Sequence, residues 1–241
     1  MKKVLTLALT GALTLGVAGV AQADINDTTF ELNKFSIKSN DSGTAKKPKP
    51  VTLSLGVLGG TKSGTGQAST STKLRITLPR GIKWNGSAWA RGKRCSVSAA
   101  NSRQSDSVCP RGSRIGSGHV DAIALGTKEP IDVRAYVTTG GNLGLWLDAD
   151  APLPIHEMLE GKVRRGVINV AIPLNIQEPV VGVSSAIENL NFSLNGRTKV
   201  KGKTRGAVES TGCFNKKWTL KFENIVTDGK LTDTRKVTCR K

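Results

Sequence analysis

Five cations alternate strictly along one nine-residue segment, RTKVKGKTR: Arg197, Lys199, Lys201, Lys203 and Arg205. On an extended strand every second side chain falls on the same face, about 6.6 Å from the next. Such a row can hold a polyanion by neutralising successive negative groups, with a steep dependence on salt. The same pattern suits an edge strand whose charge blocks pairing with another chain, and the two roles are compatible. Arg91, Lys93 and Arg94 form a second, smaller basic patch, and Lys46-Lys47-Lys49 and Lys216-Lys217 add further positive charge. Polyanion binding through these side chains is the preferred reading.

The residue types that would carry catalysis are sparse. There are two histidines, His119 and His156, and no G-x-S-x-G elbow. Gly116-Ser117-Gly118-His119 sets serine and histidine too close in sequence for a triad. His119 and Asp121 share one face of a strand, but the other half of a metal site is not visible, and His156-Glu157 offers no better partner. Zinc is disfavoured because no C-x-x-C pair occurs. Asp148 and Asp150, in DADAPLP, read as turn-forming residues, since calcium wants six or more oxygens. The Gly/Ser/Thr stretch from Gly59 to Thr72 lacks the P-loop pattern and reads as a flexible connection. Paired carboxylates for glycoside hydrolysis would have to work among 36 bases and 18 acids. No catalytic residue, metal or cofactor is expected, and an extracellular hydrolase ranks last. The principal alternative is a carbohydrate-binding or adhesion module in which Trp89 stacks on a sugar ring while Trp84 packs in the core. Aromatic residues make up only 4% of the chain, which counts against it.

Four cysteines are present, and in an exported chain they read as two disulfides. Of the three pairings open to them, Cys95–Cys109 and Cys213–Cys239 are expected, because each pair brackets one compact unit. Export itself is expected from residues 1–23, where a basic start precedes an apolar run that ends in Ala21-Gln22-Ala23, a small-x-small cleavage site. No later apolar run approaches the length of a membrane span. The net charge of +18 falls to +16 once Lys2 and Lys3 leave with this leader. Such a balance steers the chain toward anionic partners, for instance a cell-wall or extracellular polymer. The expected location is secreted, extracellular or envelope-associated. Oligomeric state is left open.

The elements that position these residues show the period of two typical of strands. Thr28–Lys38 reads as a first strand, followed by a polar, exposed connection over Asn40–Lys49. Alternation then runs through Val51–Val57, Leu74–Leu78 and Ile82–Trp84. Cys95–Cys109 spans an irregular stretch with room for one short helix. Ile115–Val120 enters a strand whose glycines imply a bulge or a close backbone approach. Ile131–Val137 and Leu143–Leu147 form a hairpin about Gly140-Gly141-Asn142. Ile168–Leu174, Leu190–Leu194 and Trp218–Phe222 follow, and Asp228-Gly229 turns the chain into its last strand. The fold class is all-β: an antiparallel β-sandwich of about ten strands with at most one short helix. Residues 24–241 are expected to form a single domain, with a subdivision near residue 150 as the alternative.

The order of features resembles a family of secreted actinobacterial β-sandwich proteins with two disulfides. The matching features are the basic turn in LRITLPRGIKW, a first cysteine, a polar stretch closing in CPRGSRIGSG, and the C-terminal hairpin opened by CFNKKW. The similarity covers roughly Leu74 to Cys239. It implies fold and compartment, and it transfers no functional residue because no activity is attached to the family.

Overall fold

The computed structural model describes residues 24–38, 42–124 and 126–240. The leader expected over residues 1–23 lies outside the described residues, as do residues 40–41 of the connection expected before the second strand. The first half of the described chain forms strands β1 (Thr28–Lys38), β2 (Lys49–Pro50), β3 (Thr52–Thr61), β4 (Ser71–Thr77) and β5 (Ile82–Trp84), then helix α1 (Val97–Arg103). Strands β6 (Arg114–Ala124), β7 (Thr127–Val137), β8 (Leu143–Ala149), β9 (Ile155–Arg164) and β10 (Val167–Ala171) lead to a short helix, α2 (Leu174–Gln177). The chain ends with β11 (Ser185–Leu194), β12 (Arg197–Val200), β13 (Lys203–Gly206), β14 (Val208–Ser210), β15 (Lys217–Val226) and β16 (Gly229–Thr238).

Eleven of these strands make one antiparallel sheet in the order β1-β3-β11-β6-β7-β8-β9-β10-β4-β15-β16. Strands from both sides of residue 150 alternate in it, with β8 paired directly to β9. The sheet curls until its two edges face each other, giving an all-β sandwich whose layers are joined round their sides as a nearly closed barrel. The seam between β1 and β16 is made largely by side chains. The Leu32 N–H donates to Asp233 Oδ2 at 2.7 Å, and Arg235 Nη1 donates to the Leu32 carbonyl at 2.6 Å. Leu32 can present both groups because β1 bulges between Glu31 and Lys34, interrupting its pairing with β3. The glycines of β6 work as their pattern implied: a Cβ on Gly116 or Gly118 would collide with the carbonyls of Ser193 or Asn191 on β11.

Alternation decides what lies inside. Leu53, Leu55 and Val57 of β3, Ile131, Val133 and Ala135 of β7, Leu143 and Leu145 of β8, and Leu220 and Phe222 of β15 are all buried in one core. One end of the barrel is plugged by a three-stranded sheet, β2-β14-β5, together with Trp89 and Trp218. Both disulfides form as expected, with Cα–Cα distances of 4.6 Å for Cys95–Cys109 and 5.8 Å for Cys213–Cys239. In the loop-entropy picture each closure stabilises the fold by about 3 kcal/mol. The first of them holds α1 over a separate small cluster of Tyr136, Trp146 and Met158 on the outside of the wall. Asn101 of α1 fixes the helix there by exchanging two hydrogen bonds with the Met158 backbone, at 3.2 and 2.7 Å.

Three segments depart from the sequence reading. The strand expected to run through Leu174 stops at Ala171, because Pro173 caps a helix instead, leaving Leu174 66% exposed. Gln67 to Thr70 are buried rather than part of a mobile loop. The Arg197–Arg205 segment is folded in two, as described below. The core also leaves an apolar space of about 70 Å³ beneath α2. At roughly 24 cal/mol per Å³, an empty space of that size costs on the order of 1.7 kcal/mol.

The seam supplies a direct test. Asp233→Ala strips the partner from the Leu32 N–H, and a loss of about 1–3 kcal/mol in denaturant unfolding is expected, with faster amide exchange at Leu32. In a double-mutant cycle, Asp233→Ala and Arg235→Ala should be non-additive, because both act on one residue.

Candidate functional site

The alternating row Arg197 to Arg205 is a hairpin. Lys201 and Gly202 both have positive φ, 47° and 76°, the geometry of a two-residue type I′ turn. Arg197 lies opposite Gly206, Thr198 opposite Arg205, Lys199 opposite Thr204 and Val200 opposite Lys203. Directly opposed residues share a face, so Arg197 and Lys199 point one way while Lys203 and Arg205 point the other. The single face expected of all five charges is therefore corrected. Alternation of charge continues through a turn as readily as along a strand.

Arg205 is further removed from solvent-borne ligands by a structural partner. Its Nε and Nη2 donate to Glu209 Oε1 and Oε2 at 2.6 and 2.9 Å, and Glu209 is fully buried in the plug. Lys83 Nζ stands 3.4 Å from the same carboxylate, and the Gly206 N–H donates to it at 3.3 Å. Burial alone pushes the Glu209 carboxyl up. Hydrogen bonds from Arg205 and Gly206, with the charges of Arg205 and Lys83, outweigh that and hold its pKa below the ordinary glutamate value.

The second expected patch divides in a similar way. Arg91 and Lys93 are exposed on a short 3-10 turn. Arg94 instead clamps the loop from inside, donating to the carbonyls of Trp89, Thr139 and Ser87 at 2.9, 3.1 and 3.2 Å. Trp89 is only 1% exposed, and its indole N–H donates to the Gly112 carbonyl at 2.7 Å. A ring enclosed in this way offers no face to a sugar, which corrects the stacking role considered for it. Trp84 is half-buried against the core, its indole N–H bound to the Gly141 carbonyl at 2.6 Å.

The largest basic surface is one that no single segment of sequence displays. Registers across β9, β10, β4, β15 and β16 align Lys162 with Asn169, Asn169 with Arg75, Arg75 with Glu223, and Glu223 with Thr232. These positions point outward, since their neighbours Ile76, Val170 and Phe222 are in the core. On the same outward face lie Lys162 and Arg164 of β9, Lys73 and Arg75 of β4, Lys217 and Lys221 of β15, and Lys230 and Lys236 of β16. Strands stand about 4.8 Å apart and outward residues about 6.6 Å apart along each, so the cations form a two-dimensional array.

Glu223 is the one acid among the outward positions of β10, β4, β15 and β16. It lies close to Lys221, Lys230 and Arg75, at 3.1, 3.3 and 3.6 Å. Burial pushes its carboxyl up, but the hydrogen bonds and charges of the two lysines prevail and lower its pKa. Glu223 therefore stays ionised and relieves repulsion at the centre of the array.

Further round the wall the sign reverses. His119, Asp132, Asp148 and His156 are successive cross-strand partners on β6, β7, β8 and β9. His119 Nε2 lies 3.1 Å from Asp121 Oδ1, and His156 Nδ1 lies 2.9 Å from Asp148 Oδ1. Arg134 joins Asp148 to Asp106, which also accepts a 2.5 Å hydrogen bond from Tyr136. Burial and this bond to Asp106 push the Tyr136 phenol well above its usual value. Lys128 and Arg134 on this side are committed to carboxylates. Among the described residues no three His, Cys, Asp or Glu side chains converge as a metal site would require.

No protein-family model matches the chain, and no curated protein is similar to it.

The Arg205–Glu209 pair makes the two halves of the hairpin experimentally distinct. Arg205→Ala leaves a buried carboxylate without its main partner, and a loss of about 3 kcal/mol or more is expected at neutral pH. Lys203→Ala should fall within about 0.5 kcal/mol of the wild type. A depressed folded-state pKa gives stability that is complete above the unfolded value, about 4.3, and is lost as pH falls through the folded value. The gap between Arg205→Ala and wild type should therefore narrow as unfolding is measured from about pH 5 down to about pH 3.

Proposed function

We propose that this is a secreted or envelope-associated, non-enzymatic protein that binds an anionic cell-wall or extracellular polymer through the outward face of β9, β10, β4, β15 and β16. The observation that carries this reading is the array itself: four strands contribute two outward cations each, with Glu223 enclosed at its centre. A convex, open lattice of ammonium and guanidinium groups suits a repeating polyanion, whose charges can be met in several registers. It does not suit a small ligand that needs a concave, shaped site. The exposed cations Arg197, Lys199, Lys201 and Lys203 of the hairpin and Arg91 and Lys93 of the 3-10 turn extend the field. Arg94 and Arg205 act through the scaffold.

Two disulfides fit an oxidising compartment, and no helix among the described residues is long and apolar enough to cross a membrane. The non-enzymatic reading is supported by the cysteines: among the described residues each is in a disulfide, so none offers a thiol nucleophile.

Binding to heparin or to isolated cell-wall polymer, measured against salt, tests this reading. Replacing Lys73, Arg75 and Lys221 together with glutamine should weaken binding at least tenfold at low salt. It should also reduce the log–log salt slope by about 2–3. Neutralising Lys199, Lys201 and Lys203 should cost less. A larger loss from the hairpin triple than from the sheet triple would refute the assignment to the sheet. Glu223→Gln removes the negative charge at the centre of the array, so it should bind more tightly while unfolding more readily.

A further inference from the structure

We infer that the barrel contains a second binding site, for the hydrocarbon chain of a single-chain amphiphile, in the apolar space beneath α2. This space, about 70 Å³, is walled by side chains such as Val133, Leu145, Leu147, Val170 and Phe222, and its polar lining consists of Ser71 and Ser185. Water needs two to four polar partners to settle in such a place, and the walls offer almost none. A hydrocarbon chain needs no partners.

The polar end of the ligand is indicated by an incomplete hydrogen bond. The Ser71 hydroxyl is buried, lines the space and has no partner. Ser185, by contrast, is satisfied, donating to the Ile176 carbonyl at 2.6 Å. Buried polar atoms are seldom left unpaired in native proteins, so a ligand oxygen at Ser71 completes the site.

The two ends of the barrel differ in a way that suits entry at this one. The far end is packed with two tryptophans, a small sheet and a disulfide. The near end is covered by residues 173–184, which reach the wall through few side-chain contacts, Gln67 to the Ser184 carbonyl and Asn175 to Glu157, while Gln177 ties the segment back to the Ile172 carbonyl. A cover held by so few bonds belongs to the low-stability part of a fold and can open locally. Its outer surface carries Leu174, Val180 and Val181, at 66%, 43% and 97% exposure, where an incoming chain would first make contact. The closed space is about half the size of a 150 Å³ cavity that admits benzene, so it accepts a chain end, and displacement of the cover admits more.

Titration of the whole protein with straight-chain fatty acids of increasing length tests this, at a salt concentration that screens the basic face. Affinity should rise by about fourfold per added methylene and then level off, with methyl NMR shifts at Val133, Leu145 and Val170. Val133→Phe and Val170→Phe, each filling the space, should weaken dodecanoate binding at least tenfold with an unchanged circular dichroism spectrum. Ser71→Ala should weaken it about fivefold, and Leu174→Lys with Val181→Lys should leave equilibrium affinity unaltered. Flotation with neutral phosphatidylcholine vesicles separates sources: co-flotation indicates capture of chains from a bilayer, and its absence alongside dodecanoate binding indicates capture of free amphiphiles. Affinity independent of chain length, shifts confined to Leu174 and Val181, or undiminished binding by the filled variants would each overturn the proposal. The methyl shifts of the wild type decide the matter if a filled variant fails to fold.

Discussion

The two edge strands of this protein's wall, β1 and β16, are bonded to each other at Leu32. Leu32 gives its N–H to Asp233 and its carbonyl to Arg235, so side chains of the last strand replace the ladder that two edge strands would otherwise form. A curled sheet must either pair its edges or protect them. Here the β1 bulge turns the Leu32 backbone toward charged groups that also deter any foreign strand. Closure gives every strand of the main sheet an inner and an outer side. The continuous core, the outward charges and the enclosed apolar space all depend on that distinction.

Charge is sorted on the outside by strand neighbourhood. Carboxylates gather on β6 to β9, where they hold both histidines and Arg134. Lysines and arginines gather from β9 round to β16. Two buried glutamates serve this arrangement differently. Glu209 sits inside the plug and fixes the hairpin through a two-pronged bond to Arg205. Glu223 sits on the basic face and moderates repulsion among Arg75, Lys221 and Lys230 without neutralising the array. Both remain ionised because the cations around them outweigh the cost of burial.

The two ends of the barrel show a similar division between stability and access. The plugged end carries the Cys213–Cys239 closure, Trp89, Trp218 and Glu209. It leaves little freedom, and it keeps the C-terminal strands in place as part of the basic face. The covered end has a four-residue helix, exposed aliphatic side chains and an apolar space within the core.

Much of this was legible in the chain. Alternation at Leu53–Val57, Ile131–Val137, Leu143–Leu147 and Trp218–Phe222 identifies strands and their inward sides, because side-chain direction on a strand is a local property. The disulfide pairing was legible for a similar reason, since each pair closes a short unit. Other features depend on contacts between distant segments. The Lys201-Gly202 turn divides a charge pattern that reads as one strand, and Trp89 disappears into a plug assembled from β2, β5 and β14. Lys73, Arg75, Lys162, Arg164, Lys217, Lys221, Lys230 and Lys236 each occupy an outward position that the local period of two reveals. Their union into one face follows only from the order β9-β10-β4-β15-β16. The sequence by itself determined which side of each strand meets water; the tertiary structure decided which strands became neighbours, because pairing is settled by long-range packing and closure of the wall.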